Sequence, residues 1–395
     1  MRQGEPWGIY VHVPWCRRRC VYCSFYIEVG RARAGFAQRI LTEFHARRSG
    51  WPRAGAVSLY LGGGTPSTLS VTQVRTLIVG MRSNGALSRG AEVTLEANPE
   101  DVEPVMLRRL ACCGVTRLSL GVQSLQGDIL RWLGRKHDPA QARRAIRWAL
   151  EEGFAVSVDW IVGVPDEDPR ACEWQVAWAA REGVQHMSVY LLTVEEGSNL
   201  HRSLRDSAAK GSGGIGTSRK VKDVDPDAQA LVYERVQRAL RRLGYEQYEV
   251  SNFARRGCAS IHNRLYWAKG QYVGLGPGAH SMLLLSDGSV IREHTHAALA
   301  QWWGNPAGAP RTVEQLAQSE ALCESLAFGL RDLQAGINPT ALSQRHRVAL
   351  PGALLPTLRR LQRCGWIRQR RQRWHVTSRG ALFADAVARE LLVAS

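Results

Sequence analysis

No stretch of roughly eighteen consecutive apolar residues occurs in this 395-residue chain, so no transmembrane helix is expected. Cysteine is sparse away from one loop: of nine in total, six lie scattered without paired spacing. That pattern argues against a disulfide framework and for a reducing compartment. A second CxxC-like pair, which a closed four-ligand zinc site would need, is missing. The leading segment Met1–Trp7 is too short and too polar for a secretory leader, and a cytoplasmic location is the expectation. No internal repeat is evident. Acidic residues are also short: 35 Asp and Glu face 52 Lys and Arg, for a net charge of +17. Such a field attracts anions, whether nucleic acid, an anionic membrane surface or a polycarboxylate, and an arginine-rich solvated surface accounts for it equally well.

What is present starts with a 45% hydrophobic content and a length that suits two or three domains around a large core. Just past the strand-like run Gly8–Val13 come Cys16, Cys20 and Cys23 in CxxxCxxC spacing. Three thiolates on one short loop can hold three irons of a cubane [4Fe-4S] cluster, leaving the fourth iron open to a small molecule. The rival, structural zinc, lacks its further ligands here. Trp15, Tyr22 and Phe25 would give the loop a shielded, low-dielectric setting.

From residue 8 to about 200, short apolar strands alternate with amphipathic helices, several opening on proline in the first turn. Strands are expected at Ile9–Val13, Val57–Leu61, Glu92–Leu95, Arg117–Leu120, Ser157–Val162 and Ser188–Leu192. Helices are expected at Ala34–Arg48, Val71–Arg82, Pro104–Cys113, Pro139–Glu152 and Pro169–Glu182. Six βα units predict an α/β fold whose parallel sheet curls into a partial (β/α)6 TIM-like barrel. Gly63, Gly64, Thr65, Glu96 and Gln123 then fall at or just past strand C-termini, with Asp159 inside the fifth strand. In α/β barrels that rim carries the chemistry. The expected division is a core barrel over 1–202, a flexible basic loop over 203–225, a compact segment over 226–303, a linker over 304–310 and a C-terminal module over 311–395. The last module reads helix, helix, helix, then the hairpin Trp366–Arg370 and Arg373–Val376, a winged-helix-like order.

The loop Tyr10-x-His12-x-Pro14-x-Cys16-x3-Cys20-x-Tyr22-Cys23 resembles the radical S-adenosylmethionine (SAM) superfamily, and more narrowly the branch of oxygen-independent coproporphyrinogen oxidases and HemW-type haem chaperones. The resemblance implies a [4Fe-4S] cluster on Cys16, Cys20 and Cys23, with the amine and carboxylate of SAM on the open iron. It implies that Gly62-Gly63-Gly64-Thr65 meets the SAM aminocarboxylate, and that Tyr10, Tyr22, Glu96, Gln123, Arg135 and Asp159 belong to the SAM site. The chemistry agrees: carboxylates and an amide can hold ribose hydroxyls, and arginine can fork a carboxylate. Each residue alone would read as a strand-end polar group satisfying the backbone.

His262-Asn263-Arg264-Leu265-Tyr266-Trp267 matches HNxxYW, which in HemW-type proteins is associated with haem binding. Histidine is a usual axial ligand to haem iron, and tyrosine and tryptophan offer flat surfaces to the macrocycle. Alone, a six-residue pattern of this kind reads by default as a surface histidine beside a packed aromatic pair. Cys258 and His280 are further candidate ligands, while Ser260 stands where relatives often carry cysteine.

Two departures select within the branch. Phe25 occupies the position of the oxidases' fourth cysteine, and only fifteen residues precede Cys16. Both match the HemW-type proteins and speak against coproporphyrinogen oxidation. The expected function is a haem chaperone that binds the cluster, SAM and haem and passes haem to acceptor haemoproteins such as respiratory cytochromes. The alternative is a radical SAM enzyme, a methyltransferase or porphyrin-modifying catalyst, acting through a 5′-deoxyadenosyl radical. Nucleic-acid binding through the basic wing Arg368–Arg373 is not expected, because no recognition helix is identifiable. The oligomeric state is left open by the sequence.

Overall fold

A computed structural model describes residues 4–209 and 224–393. Its centre is one twelve-stranded sheet. The strands in chain order are β1 (Trp7–Val13), β2 (Ala56–Gly63), β3 (Leu87–Ala97), β4 (Arg117–Gln123), β5 (Ala155–Val162), β6 (His186–Leu191), β7 (Glu246–Gln247), β8 (Asn252–Ala254), β9 (Gln271–Leu275), β10 (His280–Leu284), β11 (Val290–Thr295) and β12 (Arg311–Leu316). They lie side by side as β12-β11-β10-β9-β1-β2-β3-β4-β5-β6-β8-β7. The six parallel strands expected from the βα repeats are present in order. A seventh, β9, pairs parallel with the outer side of β1, Val11 opposite Leu275. Antiparallel strands extend both edges of this parallel core.

Alternation along the strands decides which side faces what. Ile9, Val11, Leu59, Leu61, Val93, Leu95, Leu118, Leu120, Val156 and Val158 are buried in the main core, against the crossover helices. Those helices are α1 (Phe36–Arg47), α2 (Val71–Ser83), α3 (Pro104–Cys113), α5 (Pro139–Glu151), α6 (Pro169–Glu182) and α8 (Pro226–Arg242), with the short α4 (Gly127–Trp132) between α3 and α5. Each such side chain contributes about 1.5–3 kcal/mol through burial. The intervening residues, Tyr10, Tyr60, Glu96, Ser119 and Asp159, point to the concave face. Local signals set the helix ends. Ser70 with Gln73 and Asp138 with Gln141 form capping boxes, and Gly114 and Gly183 close α3 and α6 in the left-handed conformation.

Of two short helices, α9 (Ile261–Trp267) packs on the sheet, and α10 (Leu299–Gly304) packs against α1, where Trp302 meets Phe36 and donates to Glu43. The C-terminal module comprises α11 (Gln318–Gly329), α12 (Pro339–His346), α13 (Leu354–Arg363), the hairpin β13 (Ile367–Arg370) and β14 (Arg373–Val376), and α14 (Ala384–Val393). It has its own core around Leu326, Leu358, Leu361, Trp374 and Leu391. It docks on α9 through Arg264 and Asp332 at 3.5 Å and through Arg331 stacked 4.8 Å over Trp267.

Three boundaries differ from expectation. The stretch read as loop from residue 203 starts helical, because α7 (Asn199–Ala209) runs through it, and residues 210–223 of that expected loop lie outside the described residues. The segment over 226–303 is not a separate body, since its strands complete the central sheet. Residues 311–316 belong to that sheet too: β12 pairs with β11 over six positions, so the C-terminal module begins at α11. Pairing across a gap of unrelated sequence leaves no local signal, which is why these joins were not legible. Among the described residues no helix is long and apolar enough to cross a membrane.

Candidate cofactor site

A cavity of about 420 Å³ opens at the C-terminal rim of the parallel strands. Cys16, Cys20, Cys23, Tyr22, Gly63, Gly64, Thr65, Glu96, Gln123, Arg135 and Asp159 all line it. The topology alone brings these eleven together, from the ends of four strands, the interior of β5 and one loop beyond α4.

The cysteine loop is tied down by its three arginines. Arg17 pairs with Asp101 at 2.6 Å, and Ser67 donates to the same carboxylate. Arg18 donates to the Gly134 carbonyl. Arg19 turns inward and donates to the carbonyls of Phe25 at 3.2 Å and Cys23 at 3.4 Å. Charge on this loop is thus spent on shaping it. The thiols remain half-buried and unbridged. Cys16 Sγ lies 3.1 Å from Thr65 Oγ1, and Arg135 Nη1 donates to Cys20 Sγ at 3.7 Å. Burial pushes the Cys16 thiol up to about 11, with the neighbouring thiols adding to the rise. Among the described residues no three His, Cys, Asp or Glu side chains converge as a single ion requires. A cubane cluster asks for something else, one thiolate on each of three irons, and three thiols around one cavity fit that demand.

The glycine turn fits close approach. Gly63 sits at φ 109°, and a Cβ on Gly64 would come within 2.7 Å of the Trp15 carbonyl oxygen. Gln123 takes φ 66°, beside a register irregularity between Gly121 and Gln123. That bulge aims its amide into the cavity at the strain of a left-handed non-glycine residue. Glu96 accepts from Tyr60 Oη at 2.8 Å and from the Gly63 amide at 3.2 Å. Desolvation pushes its carboxyl up to about 7, and it pushes Asp159, which accepts from Ser119 at 3.1 Å, to about 6. Arg135 donates to Asn98 Oδ1 at 2.5 Å and to the Gly121 carbonyl at 2.6 Å, and its buried Nε has no partner among the described residues. Two carboxyls facing the cavity, whose charged forms burial disfavours until a cation arrives, and a buried guanidinium suit a ligand carrying both an ammonium and a carboxylate.

Asn98 and Ser119 were missed in the sequence. Asn98 also donates to Thr65 Oγ1 at 3.3 Å, and its place two residues after Glu96 was the available signal. Tyr10 and His262, two of the expected site residues, do not line the cavity. Tyr10 stands behind the wall, its hydroxyl 3.0 Å from His12 Nδ1.

His262 lies beneath the floor, 1% exposed. Its Nδ1 is 2.8 Å from Ser58 Oγ and its Nε2 3.0 Å from Tyr266 Oη, so both ring nitrogens are engaged. Burial drives its pKa down to about 3. The rest of HNxxYW is used internally as well: Asn263 donates to Tyr248 Oη at 3.4 Å, Tyr266 packs edge-on to Tyr272, and Trp267 receives Arg331. In this conformation the motif plugs the barrel and presents no free imidazole nitrogen. Of the other candidate ligands, Cys258 sits in a turn whose carbonyl accepts from Arg117 at 3.0 Å, and His280 opens β10, stacked 4.1 Å from His294.

With this geometry in place, comparison with known proteins is decisive. The Radical SAM superfamily profile matches residues 10–173, and the HemN C-terminal domain profile matches residues 316–383. The heme chaperone HemW of Mycobacterium tuberculosis is 34% identical over 401 aligned positions, covering 98% of this chain and 95% of the relative. The chain belongs to the HemW-type branch of the radical SAM superfamily. Another relative is the mitochondrial radical S-adenosyl methionine domain-containing protein 1 of Mus musculus, 36% identical over 82% of this chain and 73% of its own length. HemW of Escherichia coli is 32% identical over 73% of each chain. The solved structure of coproporphyrinogen III oxidase (HemN) from Escherichia coli superposes with a TM-score of 0.77 at 21% identity, covering 98% of this chain and 90% of that one. HemN therefore shares the fold, a TIM-like radical SAM barrel with a C-terminal domain.

Proposed function

We propose that this HemW-type protein is a haem chaperone that carries a [4Fe-4S] cluster and SAM, takes up haem, and delivers it to acceptor haemoproteins such as respiratory cytochromes. The observation that carries the reading is kinship with a heme chaperone along nearly the whole chain, combined with one cavity that gathers every expected cluster ligand. Cys16, Cys20 and Cys23 hold the cluster, which supplies one-electron chemistry and an open iron when bound. Arg135 and Glu96 would take the carboxylate and ammonium of SAM, Glu96 in its ionised form. Gln123 and Asp159 hold ribose hydroxyls, Gly63, Gly64 and Thr65 give backbone access, and Tyr22 shields the loop.

Phe25, at the cavity mouth and 66% exposed, stands where the oxidases carry a fourth cysteine, which supports the absence of coproporphyrinogen oxidase activity. Ligation of haem iron by His262 requires the imidazole to release Ser58 or Tyr266 and α9 to leave the barrel floor. The reading places the protein in the cytoplasm, and its net charge of +17 supports contact with an anionic membrane surface where acceptors reside.

The test is an anaerobic haemin titration of the cluster-reconstituted protein, followed in the Soret band. Saturable uptake near one haem per chain is expected; a featureless titration sinks the chaperone reading. The second reading, a radical SAM enzyme, is favoured by room in the cavity toward Tyr190, Leu192 and Glu195. It predicts substrate-dependent 5′-deoxyadenosine or methyl transfer.

A further inference from the structure

We propose that His262 is a positioning residue for SAM: through Tyr60 it holds the Glu96 carboxylate aimed into the cavity. The inference rests on the SAM-site reading above and assigns the HNxxYW histidine a task other than iron ligation.

A continuous column runs from the floor to the cavity. At its base, the Glu92 carboxylate accepts from Ser260 Oγ at 3.2 Å and from the Ile261 amide at 3.0 Å, the first turn of α9, and it pairs with buried Arg117 at 2.8 Å. This fixes the height of α9 and hence of His262. Ser58 and Tyr266, one on each ring nitrogen, fix the rotation of the imidazole. The imidazole then stacks on Tyr60, with centroids 5.1 Å apart and planes 29° off parallel. Tyr60 donates from its hydroxyl to Glu96 Oε1 at 2.8 Å, and Glu96 lines the cavity.

The column has little slack. A Cβ on Gly8 would lie 2.7 Å from Ser58 Oγ and 3.0 Å from His262 Nδ1. One on Gly62 would lie 2.8 Å from the Tyr60 ring and 3.1 Å from Glu96 Oε1. Glycine at both positions lets the rings reach this packing, and a close-packed interior transmits a displacement instead of absorbing it. Removing the imidazole lets Tyr60 settle into the vacated space, and its hydroxyl leaves Glu96.

The experiment measures SAM affinity by equilibrium dialysis on cluster-reconstituted protein, with iron content and haemin uptake read in parallel. His262→Ala is expected to weaken SAM binding roughly tenfold, the order of one lost hydrogen bond to a charged group. His262→Gln, which can still bridge Ser58 and Tyr266, should recover most of that loss, and haemin uptake should stay unchanged in both. The deciding measurement is the double variant: in a Glu96→Gln background, His262→Ala should cost nothing further, whereas a general structural role would add its full effect. Should His262→Ala not fold, Tyr60→Phe removes only the hydroxyl and is expected to reproduce the loss.

Unchanged SAM affinity in His262→Ala or Tyr60→Phe with iron content intact overturns the proposal, as does additivity in the double variant. Loss of haemin uptake with SAM affinity intact overturns it in favour of iron ligation. A wild-type protein that holds iron but binds no SAM removes the SAM-site reading itself, a result distinct from each of these.

Discussion

The rim and the floor of the same barrel are built on opposite terms. At the rim, thiols stand half-buried and unbridged, Arg135 keeps a donor unfilled among the described residues, and desolvation raises the pKa of two carboxyls. At the floor, His262 is sealed with both nitrogens bonded, and the same arrangement recurs nearby, where His186 lies 2.8 Å from Tyr248 Oη and bonds Ser157 with its other nitrogen. Both regions are rich in residues that look catalytic on paper. The difference is satisfaction: groups whose hydrogen bonds are complete support the fold, and groups left wanting are the ones a ligand completes.

The largest expected effect separates the two regions outright. Replacing Cys16, Cys20 or Cys23 by serine should abolish cluster assembly, seen as loss of the broad visible absorbance after anaerobic reconstitution, while His262→Ala retains it. A cluster that survives any one serine substitution would break the assignment of the rim.

The next effect belongs to the floor. Glu92→Ala strips the buried partner from Arg117 and the anchor from α9, and should destabilise the protein by about 3–5 kcal/mol in denaturant unfolding. A loss below about 1 kcal/mol would mean that the floor is not the sealed structural layer described here.

pH sharpens the contrast further. Glu96 titrates at about 7 in the fold against an ordinary 4.5, so the folded state holds its proton to higher pH than the unfolded chain. The contribution of Glu96 to the stability of the cluster-free protein should therefore be fullest below about 4.5 and be lost as pH rises through about 7, a change of roughly 3 kcal/mol. Glu96→Gln should flatten that part of the profile. An unchanged slope in the variant would show that Glu96 is not the strained rim group.

The smallest effect is Ser260→Ala, which removes the α9 cap on Asn263 and should cost about 1 kcal/mol without reducing cluster content. Altered iron content in that variant would join what the comparison separates.

Much of the rim was legible because its signals are local. CxxxCxxC, the glycine turn, and polar residues at strand ends each announce themselves within a few positions, and period two puts alternate residues on one face. The Pro-first helices were also plain, since proline and the capping side chains act on their own turn: α3 and α6 begin at Pro104 and Pro169 as read. Arg135 needed the family resemblance, because it comes from beyond α4, and only the fold carries it to Cys20.

The βα alternation, the thiol spacing and the family could all be read along the chain, because these depend on near neighbours. Tertiary structure alone decided that β9 joins β1, that β12 closes the sheet edge, and that His262 faces Ser58 instead of solvent. The reason is physical: whether an imidazole is a ligand or a strut depends on what lies against its two nitrogens, and Ser58 lies 204 positions away in the chain. A six-residue motif carries no information about that distance.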